Sequence, residues 1–368
     1  MPFILPKNLK RFLNKNFFKI FGLKMRNEKD KKFSWPYGKE IFSSSIFFTT
    51  KCNLNCKYCF VTNKSEAAIS KSILEKVINV IIFSSGNRKI IKISGGEPLL
   101  ESKLLKHCIN LIKELSNDCH KEVLVFVASN GTLFTRKIVK FFENNNVYCG
   151  VSIDGKKEVH DKYRRTKNGK GTFTKIVKNL SLFSEDYKKN YLRLLMSVHP
   201  NEVDKLIENY KFLLSLGFTK DIQVTPVFFV KWSFKDVHSF IKKYTIIKKF
   251  YHEKLHKDSI IRFDAKRGPN CIFYNDLVFN TNGDIAFCSF VNNKIGKKFI
   301  IGNINNLPKK YFVCSFNPTS EKCILCKKCN HLCCRYDLKF NKFDFKYTRN
   351  MKILHDFPKI INKDKIYN

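Results

Sequence analysis

Ile46-Phe47-Phe48-Thr49-Thr50-Lys51-Cys52-Asn53-Leu54-Asn55-Cys56-Lys57-Tyr58-Cys59-Phe60 is the stretch from which the rest of the chain can be read. Its first five residues are apolar or β-branched and predict a strand. The strand runs directly into a loop whose cysteines are spaced C-x3-C-x2-C. Three thiolates suit a cubane of four irons and leave one iron without a protein ligand. An open coordination position is what a catalytic metal needs, because a small molecule can bind there. A structural zinc would ordinarily take a fourth protein ligand, and no His follows nearby.

Outward from this loop, residues 41–260 alternate between two hydrophobic periods. β-rich apolar segments fall at 45–50, 89–94, 122–128, 147–153, 191–198 and 221–229. Helical patterns fall near 67–84, 101–116, 135–145, 172–187, 202–216 and 234–257. Strands alternating with helices imply a parallel sheet with right-handed crossovers. Six units fall short of the eight of a closed barrel. The expected fold is therefore α/β, an incomplete (β/α)6 TIM-like barrel with its chemistry at the C-terminal strand ends.

The flanks read differently. Residues 1–40 form a basic N-terminal extension in which Leu9, Phe12, Leu13, Phe17, Ile20 and Phe21 recur at helical spacing. Packing against the barrel is the expected role, with membrane-surface contact through residues 1–25 or substrate contact as alternatives. Residues 261–345 hold little helix and many Cys, Gly and Asn, and predict a small cysteine-rich domain supported by metal. Residues 346–368 are a basic tail.

No apolar run reaches the roughly 18–20 residues needed to span a bilayer, and no secretory signal is evident, so a cytoplasmic location is expected. In a reducing compartment clustered cysteines indicate metal ligation. Of the 14 cysteines, only Cys108, Cys119 and Cys149 lie outside the groups at 52–59 and 271–334, and these three read as small buried hydrophobes. The net charge of +38 is mostly Lys spread along the whole chain, without an RNA-recognition motif or Arg-rich tract. Nucleic acid is not the expected partner.

Two further segments follow strands as the first loop does. Ser94-Gly95-Gly96-Glu97-Pro98 ends the second strand, and its glycines permit close backbone approach. Ser152-Ile153-Asp154-Gly155, then His160-Asp161-Lys162-Tyr163-Arg164, follows the fourth. With the cysteine loop, these segments resemble the radical S-adenosylmethionine (SAM) superfamily. That resemblance implies a 4Fe–4S cluster on Cys52, Cys56 and Cys59 whose open iron chelates SAM. It implies SAM contacts from Gly95, Gly96, Glu97 and Pro98, from Ser152 at the ribose, from Arg164 at the carboxylate, and from Tyr58 beside the adenine. Asn130, at the end of the third strand, is a further candidate for the same pocket.

Downstream, Cys271-x11-Gly283-x4-Cys288 precedes Cys314 and the run Cys323, Cys326, Cys329, Cys333 and Cys334. This resembles the SPASM domain of radical SAM maturases, which implies one or two auxiliary 4Fe–4S clusters on those eight cysteines. The last run is three residues shorter than the family pattern, and no later cysteine follows. A zinc site is the alternative reading of that run.

The resemblance implies reductive cleavage of SAM to a 5′-deoxyadenosyl radical and hydrogen abstraction from a peptide or protein, in an oxygen-sensitive enzyme. A maturase that crosslinks a ribosomally made peptide is the favoured form. Sulfatase maturation is the alternative, disfavoured because Ser289 stands where those maturases carry Asp. A flavodoxin or ferredoxin is the implied electron donor, and a separate leader-binding protein the implied helper. A non-catalytic iron–sulfur protein that transfers electrons or senses oxygen is the reading of another class.

Overall fold

The structure, a computed structural model, describes residues 41–62, 67–84, 86–219, 221–228, 230–249, 276–286 and 300–306. β1 (Ser43–Thr49) is buried along its whole length, as befits a strand with neighbours on both edges and cover on both faces. β2 (Arg88–Gly95), β3 (Glu122–Ser129), β4 (Tyr148–Ser152), β5 (Leu192–Val198) and β6 (Ile222–Pro226) follow in parallel, each paired with the one before. This one-way order is that of an open TIM-like barrel, and it agrees with the expected fold class.

The crossovers are helical because their apolar residues recur with a period near 3.6. α1 (Lys71–Phe83), capped by the Ser70 hydroxyl, buries Leu74, Val77, Ile78 and Ile81. These residues share one core with Ile46 and Phe48 of β1 and with Ile91 and Ile93 of β2. Each such side chain contributes about 1.5–3 kcal/mol when fully buried. Phe47 lies on the opposite face of β1, and its ring meets Phe60 of the cysteine loop edge-on at 6.4 Å. α2 (Ser102–Asp118) and α3 (Arg136–Asn144) cover β2 to β4 in the same manner.

Two features depart from the expected pattern. The helix anticipated over 172–187 is two, α5 (Phe173–Leu180) and α6 (Glu185–Tyr191), because Ser184 caps the second at Tyr187. α4 (Lys157–Tyr163), in the stretch noted for its motif, is an additional helix of seven residues, too short for a periodic signal. After α7 (Leu206–Ser215), α8 (Phe234–Ile247) opens with a full capping box between Ser233 and Asp236, as the helical pattern from 234 anticipates, and the last part of that pattern lies outside the described residues.

The sheet also continues beyond residue 260. β7 (Asp276–Phe279) pairs in parallel with β1, from Ser43↔Asp276 to Ile46↔Phe279. β8 (Asp284–Ala286) and β9 (Ile300–Asn303) then add antiparallel, giving the order β6-β5-β4-β3-β2-β1-β7-β8-β9. Strands of three or four residues carry too little alternation to be recognised before folding. Cys108 and Cys149 are buried as expected, whereas Cys119 is half-buried at the C-terminal end of α2.

Candidate active site

The cysteine loop leaves the C-terminal end of β1 and is held by backbone on two sides. On one, Asn55 N–H donates to the Arg165 carbonyl at 2.7 Å, and Lys57 N–H to the Tyr163 carbonyl at 2.9 Å. On the other, Gly96 N–H donates to the Thr49 carbonyl at 2.6 Å, and Glu97 N–H to the Lys51 carbonyl at 2.8 Å. The glycines are required here by the protein itself. A Cβ at Gly96 would lie 1.9 Å from the Lys51 oxygen, and one at Gly95 (φ +148°) 2.3 Å from the Thr49 oxygen.

Toward β4 the loop meets buried charge. Arg164 Nε donates to Asp154 Oδ2 at 2.9 Å, and Nη2 to the Ser197 hydroxyl at 3.2 Å. The guanidinium lies 5.3 Å from the centre of the Tyr58 ring, a cation–π contact, while the Tyr58 hydroxyl donates to the same Asp154 oxygen. Asp154 Oδ1 accepts the Ser197 N–H at 3.0 Å. Burial works against the charge on Arg164, but Asp154, Tyr58 and Cys56 together outweigh it and hold its pKa above the ordinary value. Burial likewise raises the Tyr58 hydroxyl well above the usual phenol range, so it stays a donor.

His160 supports this arrangement from behind. Its Nδ1 accepts the Asp154 N–H at 3.2 Å, which leaves Nε2 to carry the proton and donate to Thr172 Oγ1 at 2.9 Å. Thr172 Oγ1 in turn donates to the Arg164 carbonyl at 3.1 Å. Burial brings the His160 pKa down to about 4, so the ring is neutral.

Toward β3 the groups are mostly neutral. Glu97 is completely buried, and its carboxylate accepts Ser129 Oγ–H at 2.9 Å, Leu99 N–H at 3.1 Å and Asn130 N–H at 2.7 Å. Burial pushes its pKa up to about 7 against these three donors. Glu97 thus faces inward, where it ties the end of β2 to the end of β3. Asn130 reaches Asn53 within the cysteine loop at 2.9 Å.

The residues expected to act together are therefore assembled by different elements: Cys52, Cys56, Tyr58 and Cys59 by the loop after β1, Gly95 to Pro98 by the turn after β2, Asn130 by β3 and Arg164 by the end of α4. Ser152 is the last residue of β4, two positions before Asp154. Cys271, Cys288, Cys314, Cys323, Cys326, Cys329, Cys333 and Cys334 lie outside the described residues, as do the N-terminal extension and the basic tail. Asp154, Ser197, His160, Asn53 and Thr132 were not singled out in the sequence as site residues. Asp154 had a signal, since it stands within the motif beside Ser152. Ser197 had none, because it acts on Arg164, distant along the chain, and Thr132 had none, because its link from Asn130 to Asn53 spans two strand ends.

The three loop cysteines are free thiols and only partly buried, and they fit an iron–sulfur cluster. They lie close enough that Cys52 and Cys59 both act on the Cys56 thiol, which burial pushes up to about 11 while Arg164 pulls it down. Among the described residues no three His, Cys, Asp or Glu side chains are arranged to hold a single metal ion. A cubane asks for a different arrangement, since each thiolate binds a separate iron.

A parallel open barrel with this loop at the C-terminal end of its first strand defines the class. Residues 46–214 match the radical SAM superfamily, and the chain carries a radical SAM domain. It is 32% identical over 178 residues to a cysteine-type anaerobic sulfatase-maturating enzyme of Clostridium novyi, an alignment covering 46% of this chain and 47% of that one. It is 26% identical over 273 residues to the antilisterial bacteriocin subtilosin biosynthesis protein AlbA of Bacillus subtilis, covering 70% and 56%. The chain thus spans about half the length of these relatives. The solved structure of native anSMEcpe with bound AdoMet superposes with a TM-score of 0.65 at 23% identity, over 88% of this chain and 98% of that one, a likeness of fold. Among the described residues, no helix is long and apolar enough to cross a membrane.

Proposed function

We propose that the chain is an enzyme that cleaves SAM reductively and directs the resulting radical at a peptide or protein substrate. The observation that carries this reading is the double docking of the cysteine loop, onto the Gly95–Gly96 turn on one side and onto the Tyr163–Arg165 segment on the other. It brings three thiols, a close backbone turn and a buried guanidinium to one end of the barrel. Cys52, Cys56 and Cys59 would hold a 4Fe–4S cluster. When bound, that cluster supplies one electron to SAM, which yields methionine and a 5′-deoxyadenosyl radical able to take hydrogen from a substrate C–H bond.

The chain's own residues position and shield. Arg164 has five N–H donors, and Asp154 and Ser197 engage Nε and one on Nη2, so the fork is held at a fixed angle, and Nη1, which bonds none of the described residues, would receive a carboxylate. Tyr58 packs its ring beneath that fork and carries it on the cysteine loop itself. The buried Glu97 strut fixes the turn that would meet the SAM amino group. Ser152, the end of β4 beside Leu195 of β5, would meet the ribose.

The substrate reading rests on the names of the relatives, which concern a sulfatase and a bacteriocin peptide. Crosslinking of a ribosomally made peptide remains our favoured reaction, with Ser289 the residue that disfavours sulfatase maturation. Similarity to the Clostridium novyi enzyme favours the second reading, oxidation of a sulfatase cysteine. Auxiliary clusters on the cysteines from Cys271 to Cys334, a flavodoxin or ferredoxin donor and a separate leader-binding protein complete the proposal.

The test is anaerobic. Reconstituted protein given SAM and a strong reductant should release 5′-deoxyadenosine, and Cys56→Ala should abolish release. A fully loaded wild-type cluster that yields none would overturn the enzyme reading in favour of an electron carrier or sensor. A sulfatase-derived cysteine peptide oxidised in the same mixture would replace the crosslinking reaction with the second reading.

A further inference from the structure

We propose that Asn130 raises the reduction potential of the cluster on Cys52, Cys56 and Cys59 by donating an amide N–H to the Cys52 sulfur, with Asn53 and Thr132 locking the amide in place. The inference rests on the cluster reading above. It assigns Asn130 to a sulfur of the cluster, where the sequence had suggested the SAM pocket.

The argument is one of hydrogen-bond direction. Asn130 Nδ2 donates to Asn53 Oδ1 at 2.9 Å, Asn53 Nδ2 donates to Thr132 Oγ1 at 2.8 Å, and Thr132 Oγ1 donates to Asn130 Oδ1 at 2.6 Å. Every member gives once and receives once, so the ring closes in a single sense. The Thr132 backbone N–H adds a second donor to Asn130 Oδ1 at 3.0 Å. Turning the Asn130 amide over would set its NH2 against that backbone donor. Its orientation is therefore fixed, and the second N–H of Nδ2 faces Cys52 Sγ at 3.9 Å.

Cys52 is distinguished among the three cysteines. Its sulfur also accepts the Leu54 N–H at 3.4 Å. Cys59 faces the Val61 carbonyl at 3.8 Å, which offers a thiolate no donor. Asn130 and Thr132 are both buried, at 8% and 3% exposure, and burial strengthens a dipole aimed at charge. Hydrogen bonds to cluster sulfurs are among the terms that set the potential. Reduction adds negative charge to the cluster, so a donor on the sulfur favours the reduced form and raises the potential. The Asn130 backbone N–H rests on Glu97, which ties this donor to the Gly95–Gly96 turn as well.

The readout is the midpoint potential of the loaded full-length protein without SAM, followed by EPR, with the signal that disappears in Cys56→Ala identifying the cluster. Asn130→Ala should lower the potential by about 59 mV, a tenfold change in a one-electron equilibrium. Thr132→Val, which opens the ring but keeps the backbone donor to Asn130 Oδ1, should move it less in the same direction, and Thr132→Ser should restore the wild-type value. An unchanged potential in loaded Asn130→Ala overturns the proposal, and weaker SAM binding alongside that unchanged potential would return Asn130 to the SAM pocket. If Asn130→Ala takes up no iron, Asn130→Asp, which keeps an oxygen toward the Thr132 N–H and removes the amide donor, decides, and an unchanged potential there is equally negative. Release of 5′-deoxyadenosine by the wild-type protein in parallel separates failure of this inference from failure of the enzyme reading.

Discussion

The cysteine loop is braced on its two sides by different physics. Toward β4 stands a buried ion pair, Arg164 with Asp154, with Tyr58 and Ser197 on the same carboxylate. Toward β3 stands a ring of neutral amides and a hydroxyl, Asn53, Asn130 and Thr132. A buried charge strongly resists losing its partner, because the remaining ion is left without water or counter-charge. A neutral ring gives less when broken, but it sets direction, since each member can point only one way. The charged side would hold the loop in place, and the neutral side would set what its sulfurs experience.

The largest effect should follow from Asp154→Ala. The substitution leaves the Arg164 guanidinium buried beside Tyr58 with no carboxylate. A loss of about 3–5 kcal/mol in unfolding free energy is expected, measured by denaturant titration of the metal-free protein. A loss below that of a neutral hydrogen bond would mean that the pair does not brace the loop.

The next effect is of pH, through His160. Its pKa is lowered from 6.5 to about 4 in the fold, so between these values the unfolded chain binds a proton that the native ring does not. The stabilisation is complete above pH 6.5 and is lost as pH falls through about 4. Its size is up to about 3 kcal/mol. His160→Asn, which keeps an acceptor for the Asp154 N–H, should remove that part of the pH slope. Parallel slopes in the two proteins would show that His160 does not couple to the charged side.

The smallest effect should come from Asn53→Ala, on the neutral side. Losing one exchange of neutral hydrogen bonds should cost about 1 kcal/mol, visible as a small shift in the denaturation midpoint. A cost equal to that of Asp154→Ala would erase the contrast between the two sides.

Much of this arrangement was written locally. The six barrel strands and most of their helices declared themselves through period, because a strand buried on both faces or a helix buried along one stripe must repeat its apolar residues. The loop cysteines declared themselves through spacing, and Gly95 and Gly96 through type. The glycines were legible for a partly different reason from the one that the structure gives: the backbone they admit closely is that of Thr49 and Lys51. The division of α5 from α6 was obscured by an apolar pattern that continues across Ser184. β7 escaped notice because four residues carry no usable period.

By itself the sequence determined the class of fold, the three thiols and the order in which the other motifs follow the strands, since each is a property of neighbours along the chain. Only the tertiary structure decided that Arg164 is shared with Asp154, that Glu97 turns inward, and that Asn53, Asn130 and Thr132 close a ring beside Cys52. Glu97 with Asn130 and Asn53 with Asn130 join different strand ends, Arg164 reaches Asp154 across a helix, and hydrogen-bond direction exists only once the barrel has brought donors and acceptors within reach.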